Sequence, residues 1–182
     1  KPDAVSIIGV GATAGAVAAM QKKNIDAIAN LDPVINLLEV SGDIVTKVDT
    51  RNLDGQKYVY GQDYAAGVIY TREDFIQKNP QTVQAVVNAM VRALRWIQKA
   101  TPEQIVATVP PEYYGEHKAM YRVALGKNSA AFSPDGQMRM KAAENVYNVL
   151  KSFEPSVQQA GSIDLAKTFD NRFVIEALKK YK

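Results

Sequence analysis

Residues 5–33, VSIIGVGATAGAVAAMQKKNIDAIANLDP, decide how the rest of the chain is read. Val5-Ser6-Ile7-Ile8 is a β-branched apolar run, long enough for a buried strand and too short for a helix. Gly9, Gly11 and Gly15 follow and permit a tight exit from that strand. Residues 12–21 are alanine-rich, with Val17 and Met20 spaced for one face, and predict a helix. Lys22-Lys23-Asn24 supplies the positive charge and the left-handed-tolerant residue expected at its end. Ile25-Asp26-Ala27-Ile28-Ala29 predicts a second strand, after which Asp32 is placed to cap a helix that has Pro33 at its first position. The stretch reads as a β-α-β unit.

Its glycine turn is open to three readings. Gly9-Val10-Gly11-Ala12-Thr13-Ala14 fits G-x-G-x-x-G/A after a strand, and Asp32 lies about 20 residues on, as in the dinucleotide fingerprint. Backbone N–H groups at a helix start also make a generic seat for an anion or other polar ligand. The third reading is a structural turn with no ligand.

Composition excludes several functions. Among 182 residues, 22 Lys+Arg stand against 19 Asp+Glu, a net charge of +3 spread without a basic block, so nucleic acid is not an expected partner. There is no cysteine, which removes disulfides, thiolate metal sites and cysteine nucleophiles, and the lone histidine, His117, sits between Glu116 and Lys118 in a helical stretch and is expected to be solvated. No catalytic triad or zinc site is expected, and no apolar run approaches the roughly 20 residues of a membrane span. Lys1-Pro2-Asp3-Ala4 leads straight into the first strand without a signal segment, the start expected of a chain cut from something longer.

After the β-α-β unit, residues 34–40 suit a short buried helix stopped by Ser41-Gly42, and residues 44–48 a third strand. A polar loop is expected over 49–57, then an extended segment in which Tyr58 and Tyr60 share one side, and a returning strand over 64–71. From Arg72 on, the pattern is helical. Asn79-Pro80 starts a helix with a stripe of Val83, Val86, Val87, Met90, Leu94 and Ile97. Thr101-Pro102-Glu103-Gln104 opens another with a capping box, ended before Pro110-Pro111. A third spans about 116–125 and stops at Gly126. A fourth begins at Ser133-Pro134-Asp135 and closes at Pro155, and Asn171 caps a last one carrying Phe173, Val174, Ala177 and Leu178 inward.

The order of the glycine turn, small helix, Ile25-Asp26-Ala27-Ile28, Asp32-Pro33, Leu37-Leu38 and Ser41-Gly42 resembles the second lobe of bacterial solute-binding proteins of the nitrate, sulfonate and taurine transporter family, with Asn24 in place of that family's usual glycine. The stretch FIQKNPQTVQAVVNAMVRA over residues 75–93, Phe132-Ser133-Pro134-Asp135-Gly136, and Ile163-Asp164-Leu165 with residues 168–173 are similar to its later parts. The resemblance implies an α/β type II periplasmic-binding-protein fold, here lacking the N-terminal part of lobe I and the first crossing strand. Residues 1–64 would be the remainder of lobe II, and residues 65–182 the hinge strand and helical return into lobe I.

It also implies a protein without enzymatic activity or cofactor: a periplasmic or extracellular lipid-anchored component of an ABC importer, which closes two lobes on a sulfonate- or taurine-like molecule and is read by a permease in the inner membrane. An oligomer or a missing N-terminal segment would complete the fold. The expected ligand-binding residues are Gly9, Gly11, Ala12, Thr13, Asn30 and Asp32, with Tyr60, Asp63 and Tyr64 flanking the hinge, and no metal ligand is expected. Asp32 has a second reading as a helix cap, and the tyrosines one as packing residues. The alternative readings are an NAD(P)-binding Rossmann fragment using residues 9–32 and a relative that binds a pyrimidine or thiamine precursor. The first lacks a second β-α-β-α-β half, and enzymes related to the second use cysteine and histidine-rich motifs absent from this chain.

Overall fold

A computed structural model describes residues 4–62, 64–114 and 117–181. In chain order the helices are α1 (Ala14–Gln21), α2 (Val34–Ser41), α3 (Leu53–Tyr60), α4 (Glu73–Lys78), α5 (Pro80–Ile97), α6 (Pro102–Thr108), α7 (Lys118–Asn128), α8 (Met140–Phe153), α9 (Pro155–Gln159) and α10 (Arg172–Lys180), with short 3-10 turns between some of them.

Among the described residues there is no strand, which corrects the expected α/β type II binding-protein fold. The segments read as strands, 5–8, 25–29, 44–48 and 64–71, are all non-helical, yet no backbone hydrogen bond joins any two of them. The physical reason is that β-branched residues form a strand only against a neighbour that completes the ladder. Here Val10, Ile28 and Ile44 pack down onto Ala16, Val34 and Leu38 of α1 and α2. Other residues of these segments are exposed: Ile7 is 78%, Val45 76% and Tyr70 90% exposed.

Local turn chemistry explains smaller departures. Residues 53–60 form α3 in place of a polar loop and an extended tyrosine segment. Asn52 Oδ1 accepts from Gly55 N–H at 2.8 Å, Asp54 and Lys57 suit the two ends, and Gly61 closes the helix at φ 79°. Gly126 does not stop α7, which runs on to Asn128; a Cβ at Gly126 would lie 3.8 Å from Pro102 Cγ, so the glycine lies where α6 and α7 come close. Ser133-Pro134-Asp135 makes a turn ahead of α8, with Gly136 at φ 74° donating to Ser133 Oγ, and Pro155 begins α9 as well as ending α8. Asn171 caps nothing with its side chain: its amide bonds both the N–H and the C=O of Met138, at 3.0 and 2.8 Å.

Other features follow the sequence. The Thr101 capping box closes with bonds of 2.9 and 3.3 Å, α2 ends on Gly42 at φ 75°, and α5 begins at Pro80. The apolar stripe of α5 turns out slightly rotated. Val91, absent from the expected stripe, is its buried residue, packed with Val87 against Val174, Ala177 and Leu178 of α10, while Val86 and Met90 are exposed. Val91→Ala removes methyl groups from this small cluster and is expected to cost about 2 kcal/mol, read as a lower urea midpoint with an unchanged denaturant slope.

Candidate functional site

The glycine turn is an open loop. Gly11 takes φ 68°, a conformation that favours glycine, and Thr13 precedes α1 in extended conformation without a side-chain cap. Thr13 C=O accepts from Ala16 N–H at 3.0 Å, whereas no described residue accepts from the N–H of Ala14 or Gly15, which are the open donors of a helix start. Asn30 braces this loop. Its Nδ2 donates to Gly11 C=O at 2.7 Å and its Oδ1 accepts from Leu31 N–H at 2.8 Å. Gly9, Gly11, Ala12 and Thr13 are all exposed, so the loop presents two amides and a free hydroxyl to solvent. Surface clefts open beside Gly61 and Gln62 at the start of α8, and between α5 and α10; neither includes a residue of this loop.

Asp32 is turned away from the loop, into a cluster of charges. Its Oδ1 accepts from Asn36 N–H at 3.1 Å, its Oδ2 accepts from Asn128 Nδ2 at 2.7 Å, and both oxygens face Arg51 at 3.3 Å. It thus bonds an amide in the first turn of α2 and faces a cation at the same time. Arg51 is the centre: it also donates to Glu39 at 3.0 Å and to both oxygens of Asp49 at 2.8 and 2.9 Å. Lys127 reaches Glu39 at 2.6 Å and the Thr46 hydroxyl donates to the same carboxylate.

Three carboxylates share two cations, and the Arg51 side chain is only 13% exposed. Burial opposes ionisation of Glu39, but the bonds from Lys127, Thr46 and Arg51 outweigh it and hold its carboxyl at about 2. Hydrogen bonding to Arg51 lowers Asp49, and Asp49 in turn raises Arg51 against the opposing effect of burial.

Tyr60 and Tyr64 stack on one another, with ring centroids 4.3 Å apart, while Asp63 between them lies outside the described residues, as does Glu116 beside His117. The structure therefore brings together Gly11 with Asn30 and Tyr60 with Tyr64, and sends Asp32 to a different set of partners. His117 is exposed at the start of α7. Among the described residues no group of three His, Asp or Glu side chains is arranged to hold a metal. Arg51, Glu39, Asp49, Lys127 and Asn128 were not legible as a cluster. Asp49-x-Arg51 is a local pair visible in sequence, but Asn128 meets Asp32 across 96 positions, with nothing in the pattern to announce it.

The cluster makes stability sensitive to acid. Because the Glu39 carboxyl lies at about 2 in the folded chain against an ordinary 4.5, its contribution is complete above pH 4.5 and is lost as pH falls toward 2. Glu39→Gln is expected to flatten this acid limb by roughly 2 kcal/mol, measured as urea midpoints between pH 6 and pH 3. Arg51→Met leaves the carboxylates without their shared cation and is expected to cost about 3–5 kcal/mol at neutral pH, read by the same unfolding curves.

Three comparisons bear on kinship. A family model described as the NMT1-like family matches residues 2–109, which replaces the expected nitrate, sulfonate and taurine transporter family. A solved structure of a protein from Bordetella bronchiseptica RB50 is similar at 42% identity and a TM-score of 0.87; the match covers 100% of this chain and 57% of that one, so this chain spans little more than half of its relative's length. No curated protein matches. The family match takes in the glycine loop, Asn30, the three carboxylates and Arg51, and on that extent the chain belongs to the NMT1-like family.

Proposed function

We propose that this chain is a non-catalytic binding unit, holding a small molecule through an acceptor group such as an oxyanion at the glycine loop. The observation that carries this is the pair of open amides, Ala14 and Gly15, beside a Gly11 backbone already braced by Asn30. A helix start with its donors open and its macrodipole uncompensated favours negative charge, and α1 has no acidic residue in its first turn. Asp32, a carboxylate whose charge would oppose an anion there, is engaged by Arg51 and Asn128 instead.

The expected two-lobed capture by an importer component does not fit this chain, because its described residues are helical and have no sheet from which to build two α/β lobes. Another polypeptide segment remains part of the proposal, as cover for Val5, Ile7, Ile8, Val45 and Val68, which stand exposed on non-helical chain. No described helix is long and apolar enough to cross a membrane. A periplasmic location belongs to the same proposal, and a chain without cysteine is compatible with an oxidising compartment.

Titration of the amide NMR spectrum with inorganic phosphate tests the ligand seat. Shifts are expected to concentrate at residues 9–15 and at Asn30. Ala14 is the first residue of α1 and Thr13 before it is extended, so Ala14→Pro deletes one donor while leaving the helix intact. Loss of one bond to a charged group is expected to weaken binding about tenfold. Shifts scattered over lysines, or an unchanged affinity in Ala14→Pro, would overturn the proposal.

A further inference from the structure

We infer that α6 and α7 form an arm that leaves the body of the protein as a unit, hinged at residues 98–101 and 129–133 and latched to α2, among the described residues, by polar bonds. The two ends of this segment lie side by side: Gln98 Nε2 donates to Phe132 C=O at 3.4 Å. The chain therefore departs from the end of α5 and returns to the same place before α8.

The arm is coherent within itself. Ile105 and Val106 of α6 and Ala124 of α7 are buried, Gly126 lies against Pro102, and Arg122 pairs with Glu103 at 3.4 Å. Neither apolar cluster of the body reaches into it. One cluster joins α1 and α2 with Val10, Ile28 and Ile44, the other joins α5 and α10, and no residue of α6 or α7 belongs to either.

What ties the arm to α2 and its leading turn is hydrogen bonding and charge: Asn36 Nδ2 to Met120 C=O at 3.3 Å, Lys127 to Glu39, and Asn128 to Asp32. The seam is imperfect, since Asn36 Oδ1 is buried there without a partner. A polar seam differs from an apolar one in how it opens. Water replaces its bonds when it parts, so the net cost of opening is small, and an orphaned acceptor regains a partner on opening. Glu39 and Asp32 keep Arg51 and Thr46 when the arm leaves, so the body's charges stay paired. The arm is thus the part of the chain able to change position without unfolding either cluster.

Native-state hydrogen exchange of the whole chain, followed by mass spectrometry at rising sub-denaturing urea, tests this. Amides of α6 and α7 are expected to share one opening event, populated at least tenfold more than the event that exposes α5 and α10. The Lys127→Met/Asn128→Ala double variant cuts two latches and is expected to raise exchange in α6 and α7 about tenfold while leaving α5 and α10 unchanged. Exchange of α6 and α7 only together with α5 and α10 in the unsubstituted protein would overturn the inference, as would an equal rise across all four helices in the variant.

Discussion

One guanidinium organises the polar interior of this protein. Arg51 stands among Asp32, Glu39 and Asp49, drawing together the turn before α2, the body of α2 and the loop before α3. Three carboxylates at such distances repel one another unless a cation satisfies them, and the planar fork of arginine can donate to several at once. The side chain is mostly buried, so these bonds are screened less than surface pairs. Placing Asp32 in this cluster also decides what the glycine loop is: a start of α1 with its amides open and no carboxylate of that residue facing them.

The apolar interior is divided and modest. The buried apolar residues are mainly valines and alanines, in one cluster under α1 and α2, another between α5 and α10, and a separate set of Ile105, Val106 and Ala124 in α6 and α7. Many large apolar side chains remain on the surface of the non-helical segments. That distribution is what separates this chain from a closed α/β domain. It also explains why α6 and α7, with apolar contacts of their own, depend on hydrogen bonds to meet α2.

Kinship and architecture carry different weights. The NMT1-like match covers the first 109 residues apart from Lys1, and the Bordetella bronchiseptica structure matches the full length of this chain at 57% of its own. Kinship is thus shown by sequence and by the path of the chain, while the expected two-lobed mechanism required paired strands that the described residues do not form.

The sequence by itself determined the helices and their ends wherever the signal was local. The capping box at Thr101, the Pro80 start of α5, the Gly42 stop of α2 and the inward face of α10 are all written within a few residues of where they act. Asn52 and Gly61 carried the same kind of signal for α3, masked by the alternating tyrosines. Tertiary structure decided the rest. Whether Val5-Ser6-Ile7-Ile8 becomes a strand depends on a neighbour, because a ladder needs two chains, and alternation or β-branching cannot supply the second. Likewise Asp32 read equally well as ligand contact or helix cap. Only the approach of Arg51 and of Asn128, brought from 96 positions away by α7, turned its carboxylate inward.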